Sequence, residues 1–212
     1  MSELFSQSLR DVLKVSASSE PTPGGGSVAA IVAAFAASMS AMVANLTIGK
    51  KRYRDVEQQV TRLRDRALCL MSHAEELVDA DTSQFKRFME YYKMPAVTGE
   101  EKERREYLIQ EALKGATETP LEIAGACLEI LKVADEIAPM GNTMAISDAG
   151  VSVYLAEGAL RAALLNVDIN LPQVKDQDFV KSAEKDKEGL IRQAAEIRDR
   201  ALSAISARMK GS

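Results

Sequence analysis

The stretch VEQQVTRLRDRALCLMSHAEELVDAD, residues 56–81, decides the fold. Apolar or small residues fall at Val56, Val60, Leu63, Ala67, Leu70, Ala74 and Leu77, in alternating steps of four and three. That rhythm of about 3.5 residues belongs to a long helix packed along its length against others, and it predicts one helix over about 55–92. The next position of the seam, four residues beyond Leu77, is Asp81, so the periodicity that builds a core turns a carboxylate toward it. Asp79, about 200° around the helix from Leu77, points elsewhere. A buried carboxylate is costly unless paired or hydrogen-bonded, and perturbed acids concentrate at functional sites. By itself the pattern leaves Asp81 either a satisfied structural acid or a catalytic one.

Upstream, Val28 to Ala44 is an apolar run broken only by Ser38 and Ser40, and eight of its seventeen residues are alanine. Its length approaches that of a membrane span. Alanine is weakly hydrophobic, however, and no second span accompanies it, so the segment predicts a fully buried core helix over about 27–46 and no membrane association. Leu4, Leu9, Val12 and Leu13 predict a short amphipathic first helix, and 16–26 a loop rich in Ser, Pro and Gly. Thr98-Gly-Glu-Glu101 has the spacing of a capping box for a fourth helix ending near Thr117. Thr119-Pro-Leu-Glu122 repeats the device and predicts a fifth, stopping before Pro139. Two more follow, over 147–166 and from Asp176 onward. No alternating β pattern appears. The fold class is all-α, an antiparallel bundle of long helices in a single domain, residues 1–212.

Among 212 residues, 46% are hydrophobic, enough for a sizeable core. With 27 Lys and Arg against 31 Asp and Glu, the net charge of −4 provides no general attraction to nucleic acid or an anionic membrane. Cys69 and Cys127 form no CxxC pair and read as reduced structural thiols. Met1 to Arg10 lacks the layout of a secretory signal, so a cytoplasmic location is expected. His73 is the only histidine, placed as a surface or partly packed residue, and the close His or Cys ligands of a zinc site are missing, so no metal is expected.

Several polar groups lie beside helix ends. Pro23-Gly-Gly-Gly-Ser27 exposes backbone N–H groups at a helix start, suited either to an anion or to a plain entry with Ser27 as N-cap; it is not a P-loop. Gly141-Asn142, Ser147-Asp148 and Asn166-Val-Asp-Ile-Asn170 bracket another helix, as caps or as ligand contacts. Lys50, Lys51, Arg52 and Arg54 with Tyr53 form a basic patch, either solvated or a clamp for an anionic substrate.

Taken together, Pro23-Gly-Gly-Gly-Ser-Val-Ala-Ala30, Asn45-Leu-Thr-Ile-Gly-Lys-Lys51 with Tyr53, Val78-Asp-Ala-Asp81 with Phe85, Pro120-Leu-Glu122, Gly141-Asn142, Ser147-Asp148 and Asn166 to Asn170 resemble one family. It is that of the formiminotetrahydrofolate cyclodeaminases and methenyltetrahydrofolate cyclohydrolases. The matches run in order over about 20–170, and members are similar to the second domain of the bifunctional animal formiminotransferase-cyclodeaminase, without its transferase half. The resemblance implies a helical homodimer, no metal and no cofactor beyond the tetrahydrofolate substrate, which binds in a groove near a subunit interface. It implies that Asp81 is catalytic, with Asp79 as a second catalytic candidate. Gly24, Gly25, Gly26, Ser27, Asn45, Lys50, Lys51, Asn142, Asp148 and Asn166 are the substrate-binding candidates, with the anionic glutamate tail suiting Lys50, Lys51 or the Gly24 to Ser27 backbone. Conversion of 5-formiminotetrahydrofolate to 5,10-methenyltetrahydrofolate with loss of ammonia is the first expectation. Hydrolysis of the methenyl compound to 10-formyltetrahydrofolate is the alternative, and a non-catalytic folate- or anion-binding helical dimer is the rival of another class.

Overall fold

A computed structural model describes residues 4–210. Among them there is no strand. After a short α1 (Leu9–Ser16) come five long helices: α2 (Gly25–Thr47), α3 (Glu57–Lys93), α4 (Gly99–Ile137), α5 (Ile146–Asn170) and α6 (Gln177–Lys210). Helices α2 to α5 form a closed ring in which each packs on the next and α5 returns to α2, while α6 lies across α4 and α5. Short connections make sequential neighbours antiparallel.

The local signals explain where the helices begin. Thr98 accepts from the Glu101 backbone N–H while the Glu101 carboxylate accepts from the N–H groups of Val97 and Thr98, so the capping box forms. Asp176 caps α6 by accepting from the N–H groups of Asp178 and Phe179.

The second expected box at Thr119 does not start a helix, because α4 runs unbroken through Pro120. Proline has no N–H to give the carbonyl four residues back. Asn170 at the end of α5 supplies the missing donor, its Nδ2 lying 2.7 Å from the Ala116 carbonyl. A tertiary contact thus satisfies the group that the sequence pattern left open.

The core divides its volume unevenly. Helix α2 contributes buried alanines such as Ala30, Ala36, Ala37 and Ala44, whereas α4 contributes Ile123, Ile130, Leu131 and Ile137, all buried. Small side chains on one helix let neighbours approach, and the bulky ones fill the space; each fully buried Leu or Ile is worth about 1.5–3 kcal/mol. The Ser152 hydroxyl donates to the Ala36 carbonyl at 2.7 Å and meets Ser40 Oγ at 2.8 Å, pinning α5 to α2. Cys127 is buried and its thiol is pushed up to about 12 by loss of solvent, while Cys69 is exposed.

Helix α2 is not fully buried, contrary to its composition. It is the one helix among the described residues long and apolar enough to cross a membrane, and 61% of its most apolar window is buried inside the protein. The ring leaves its outer side uncovered, so Val28, Phe35 and Leu46 are exposed. The adjacent α5 likewise exposes Val151, Tyr154, Leu165 and Ile169.

Helices α3 and α4 continue past the start of α2 and the end of α5, forming an overhanging hairpin. The α5–α6 connection is fastened to it: Gln110 Nε2 donates to the Gln173 carbonyl at 3.1 Å, and Lys114 pairs with Asp176 at 2.9 Å. The step between bundle and overhang is where a cavity opens.

Candidate active site

Asp81 projects from α3 onto the first turn of α2. A Cβ on Gly26 would overlap its carboxylate, so only glycine permits this approach. Ser27 lies in the first turn of α2, since the helix starts at Gly25 with Gly24 as its cap; the expectation of Ser27 as N-cap is corrected. Its hydroxyl is thereby free to donate to Asp81 Oδ2 at 2.6 Å, and Thr82 Oγ1 stands 3.3 Å from the same hydroxyl. Burial pushes the Asp81 carboxyl above its ordinary range, more than the hydroxyl and backbone N–H of Ser27 draw it down. A carboxyl raised this way exchanges its proton more readily near neutral pH.

Asp81 lines a cavity of about 330 Å³. Gly24, Gly25 and Gly26 form one wall, Gln84, Phe85 and Phe88 another, and Asn166 and Asn170 from the end of α5 a third. Such a volume lies in the range of small-molecule sites, about 300–1,000 Å³. The lining combines aromatic rings with amide groups, which suits a planar heterocycle bearing several donors and acceptors. Gln84 was missed from the sequence, although it stands one helical turn after Asp81 on the same face. Its buried Oε1 has no hydrogen-bond partner among the described residues, so it is an acceptor available to a ligand N–H. Phe88, seven residues after Asp81, lies on the same face, where a phenylalanine reads in the sequence as ordinary core.

The remaining candidates do not gather here. Asp79 is exposed and sits in a separate depression beside Pro23 and Lys86, outside the cavity that Asp81 lines. Asn45, Lys50, Lys51, Asn142 and Asp148 lie toward the other end of α2; from Gly26 to Asn45 the helix rises about 29 Å at about 1.5 Å per residue. There Asn142 Nδ2 donates to the Leu46 carbonyl at 2.7 Å, its backbone N–H donates to Thr47 Oγ1 at 2.9 Å, and its Oδ1 accepts from the Met144 N–H. Tyr53 Oη accepts from the Thr143 N–H at 3.1 Å. Ser147 and Asp148 do not cap α5, which follows a short turn at Thr143–Ala145. Asn166 does not end α5 either; the helix continues to Asn170, and this leaves Asn166 facing Gly25 across the cavity mouth.

His73 is half-buried between Glu76 and Glu122, at 3.7 and 3.6 Å. Among the described residues no group of three His, Cys, Asp or Glu is placed to hold a metal ion.

A family model described as formiminotransferase-cyclodeaminase matches residues 8–189. A methenyltetrahydrofolate cyclohydrolase of Methylorubrum extorquens is 39% identical over 193 residues, covering 91% of this chain and 93% of that protein. A formimidoyltransferase-cyclodeaminase of Mus musculus is 31% identical over 205 residues, where the match covers 97% of this chain and only 38% of the mouse protein. Among solved structures, a formiminotetrahydrofolate cyclodeaminase from Thermotoga maritima superposes with a TM-score of 0.87 at 27% identity, covering 97% of this chain and 98% of that one.

Proposed function

Because the chain belongs to the formiminotransferase-cyclodeaminase family, we propose that its cavity binds a tetrahydrofolate and that Asp81 catalyses exchange at the one-carbon unit. The observation that carries this is the Asp81 carboxyl, raised by burial, held by Ser27 on the first turn of α2, and lining a cavity of ring-binding and amide side chains. In the deaminase direction N10 attacks the carbon of the N5-formimino group. Asp81 takes the N10 proton and delivers it to the nitrogen of that group; a further proton from solvent lets ammonia depart, and the N5–C–N10 ring closes as a methenyl cation. The ionised carboxylate then faces the cation it helped to form. The Ser27 hydroxyl keeps the carboxylate oriented through both stages.

Hydrolysis of the methenyl compound is the second reading, supported by the 39% identity to a cyclohydrolase over nearly the whole of both chains. Here Asp81 activates water against the methenyl carbon, the C–N5 bond breaks, and 10-formyltetrahydrofolate forms with release of a proton. Purified protein offered 5-formiminotetrahydrofolate or 5,10-methenyltetrahydrofolate separates the two. Ammonia release with rising methenyl absorbance marks the deaminase, and methenyl loss above the spontaneous rate marks the hydrolase. Folded protein showing neither signal refutes the enzyme in favour of a folate-binding protein.

The enzyme is further proposed to act in the cytoplasm as a homodimer, with no cofactor beyond its folate substrate. The adjacent outward stripes of α2 and α5, with exposed Phe35, Tyr154, Leu165 and Ile169, support the dimer, since apolar surface of this kind is covered by association. Light scattering on soluble protein tests it. A particle of 23.0 kDa, the mass of one chain, at working concentration counts against it.

A further inference from the structure

Pro120 has no N–H to give the Ala116 carbonyl, and Asn170 Nδ2, reaching over from α5, donates to that carbonyl at 2.7 Å. A carbonyl oxygen only accepts, so the Asn170 amide can present only its nitrogen there. Turned by half a rotation, it would set Oδ1 against another acceptor and leave the carbonyl open. The proline therefore fixes the polarity of the Asn170 side chain. Its Oδ1 has no donor among the described residues and is the atom left for the cavity that Asn170 lines.

The same polarity recurs along this wall. Asn166 Nδ2 donates to the Ala162 carbonyl at 3.2 Å, and Gln173 Nε2 to the Ile169 carbonyl at 3.1 Å, so each amide spends its donor on backbone and keeps its oxygen. From α3, Gln84 lays its amide over Gly115, the neighbour of Ala116: a Cβ there would stand 2.7 Å from Oε1, an oxygen without a partner among the described residues. The lining includes the Asp81 carboxylate and no Lys, Arg or His among the described residues. Such a wall is built of acceptors and calls for a ligand edge rich in donors.

We infer that Asn170 is a specificity-determining residue whose Oδ1 accepts from the aminopyrimidine edge of the pterin, and that Pro120 is the positioning residue that fixes this polarity; this rests on the folate reading above. Asp81 meets Gly26 at the level where Asn166 faces Gly25. From Asn166 to Asn170 α5 rises about 6 Å, and from Asp81 to Gln84 α3 rises about 4.5 Å, at about 1.5 Å per residue. With the one-carbon unit at Asp81, the far edge of the fused ring therefore comes to the level of Asn170 and Gln84. That edge carries an amino group and a ring N–H. A ring offering acceptors in their place would set oxygen or nitrogen lone pairs against the amide oxygens and be refused.

Titration calorimetry with tetrahydrofolate and with its 2-desamino-2-methyl analogue, which lacks the amino donors, tests this in the wild type, in Asn170→Ala and in Pro120→Ala. The wild type should bind tetrahydrofolate about tenfold more tightly than the analogue, the scale of one lost hydrogen bond. Asn170→Ala should reduce that ratio to about twofold or less and melt at a lower temperature, because the Ala116 carbonyl loses its donor. Pro120→Ala returns a helix N–H to that carbonyl and frees the amide to turn. It should melt no lower than the wild type, while the preference shrinks roughly two- to fivefold, the cost of an amide correctly turned only part of the time. A proline that merely shapes the wall would change both affinities alike and keep the ratio. An unchanged ratio in either variant, or equal binding of the two ligands by the wild type, would overturn the inference while leaving the folate function intact. Failure of the folded wild type to bind tetrahydrofolate would overturn the folate function and the inference with it.

Discussion

The two ends of α2 are built from similar residues and do different work. At its start, Gly24 to Ser27 meet Asp81 and Asn166 around a cavity, and the buried Gln84 oxygen has no partner among the described residues. At its finish, Asn142 spends its side chain and its backbone N–H on Leu46, Thr47 and Met144, while Tyr53 holds Thr143. Both ends satisfy a helix terminus with short polar groups. Among the described residues, Asp81, Gln84 and Asn166 at the first end line a cavity, whereas Asn142 and Tyr53 at the second are bonded to backbone. A cluster of Asn, Ser, Asp and Gly becomes a candidate site when its hydrogen bonds are not already used by the protein's own backbone.

The sharpest way to break this contrast is Asp81→Asn. The amide keeps the shape and loses the ionisable group, so turnover should fall about a hundredfold or more, the usual scale for a general acid or base. Circular dichroism should show an unchanged fold. Normal turnover per folded molecule would make Asp81 a structural clamp on α2. The same residue sets a pH dependence. Since its folded pKa is raised above the ordinary 3.8, kcat/KM should decline on the acid side through a pKa higher than that value, reflecting loss of the ionised form. The sign for stability is opposite: the folded state holds this proton more tightly than the unfolded one, so stability falls as pH rises from 3.8 through the folded pKa. In Asp81→Asn that decrement should vanish, which melting curves across the acid range would show.

Gly26→Ala probes the close approach while leaving Asp81 itself unchanged in sequence. In an ordinary helix interior Gly→Ala stabilises by roughly 0.5–1 kcal/mol. At Gly26 the new Cβ meets the Asp81 carboxylate, so Asp81 must move; activity should drop by roughly tenfold, the cost of misplacing a reacting group, and the usual stability gain should not appear. A more stable, fully active variant would show that the contact is dispensable.

Asn142→Ala examines the far end. Losing the side-chain bonds to Leu46 and Met144 should lower stability by about 1 kcal/mol, with KM unchanged in the protein that remains folded. A raised KM with normal stability would place the far end of a partner chain at the cavity and turn the two ends into halves of one site.

Much of this was legible in the residues alone. The alternating spacing from Val56 to Leu77 predicts α3 and turns Asp81 inward, and the Thr98 capping box marks the start of α4. Pro120 misled, because its effect depends on a donor 54 residues from the carbonyl it leaves open: local rules break the helix there, and Asn170 mends it. Gln84 and Phe88 were present in the seam at the spacing of one and two turns from Asp81, yet a polar residue and a phenylalanine at those positions carry no mark distinguishing a cavity wall from a packed core.

Determined by sequence alone were the helical class, the long seam of α3 with its inward acid, and the motifs that resemble a folate-enzyme family, since periodicity and local capping act over a few residues and survive any arrangement of the rest. Tertiary structure decided which polar clusters share a cavity. Gly26 and Asn45 belong to one uninterrupted apolar helix, and their separation follows from its rigid rise of about 1.5 Å per residue. Asp81 and Asn166, far from Gly24–Gly26 in the chain, come to the same end because an antiparallel ring returns α3 and α5 there. The overhang likewise exists only because α3 and α4 run past their neighbours, a difference in helix length whose consequence appears when the helices are packed side by side.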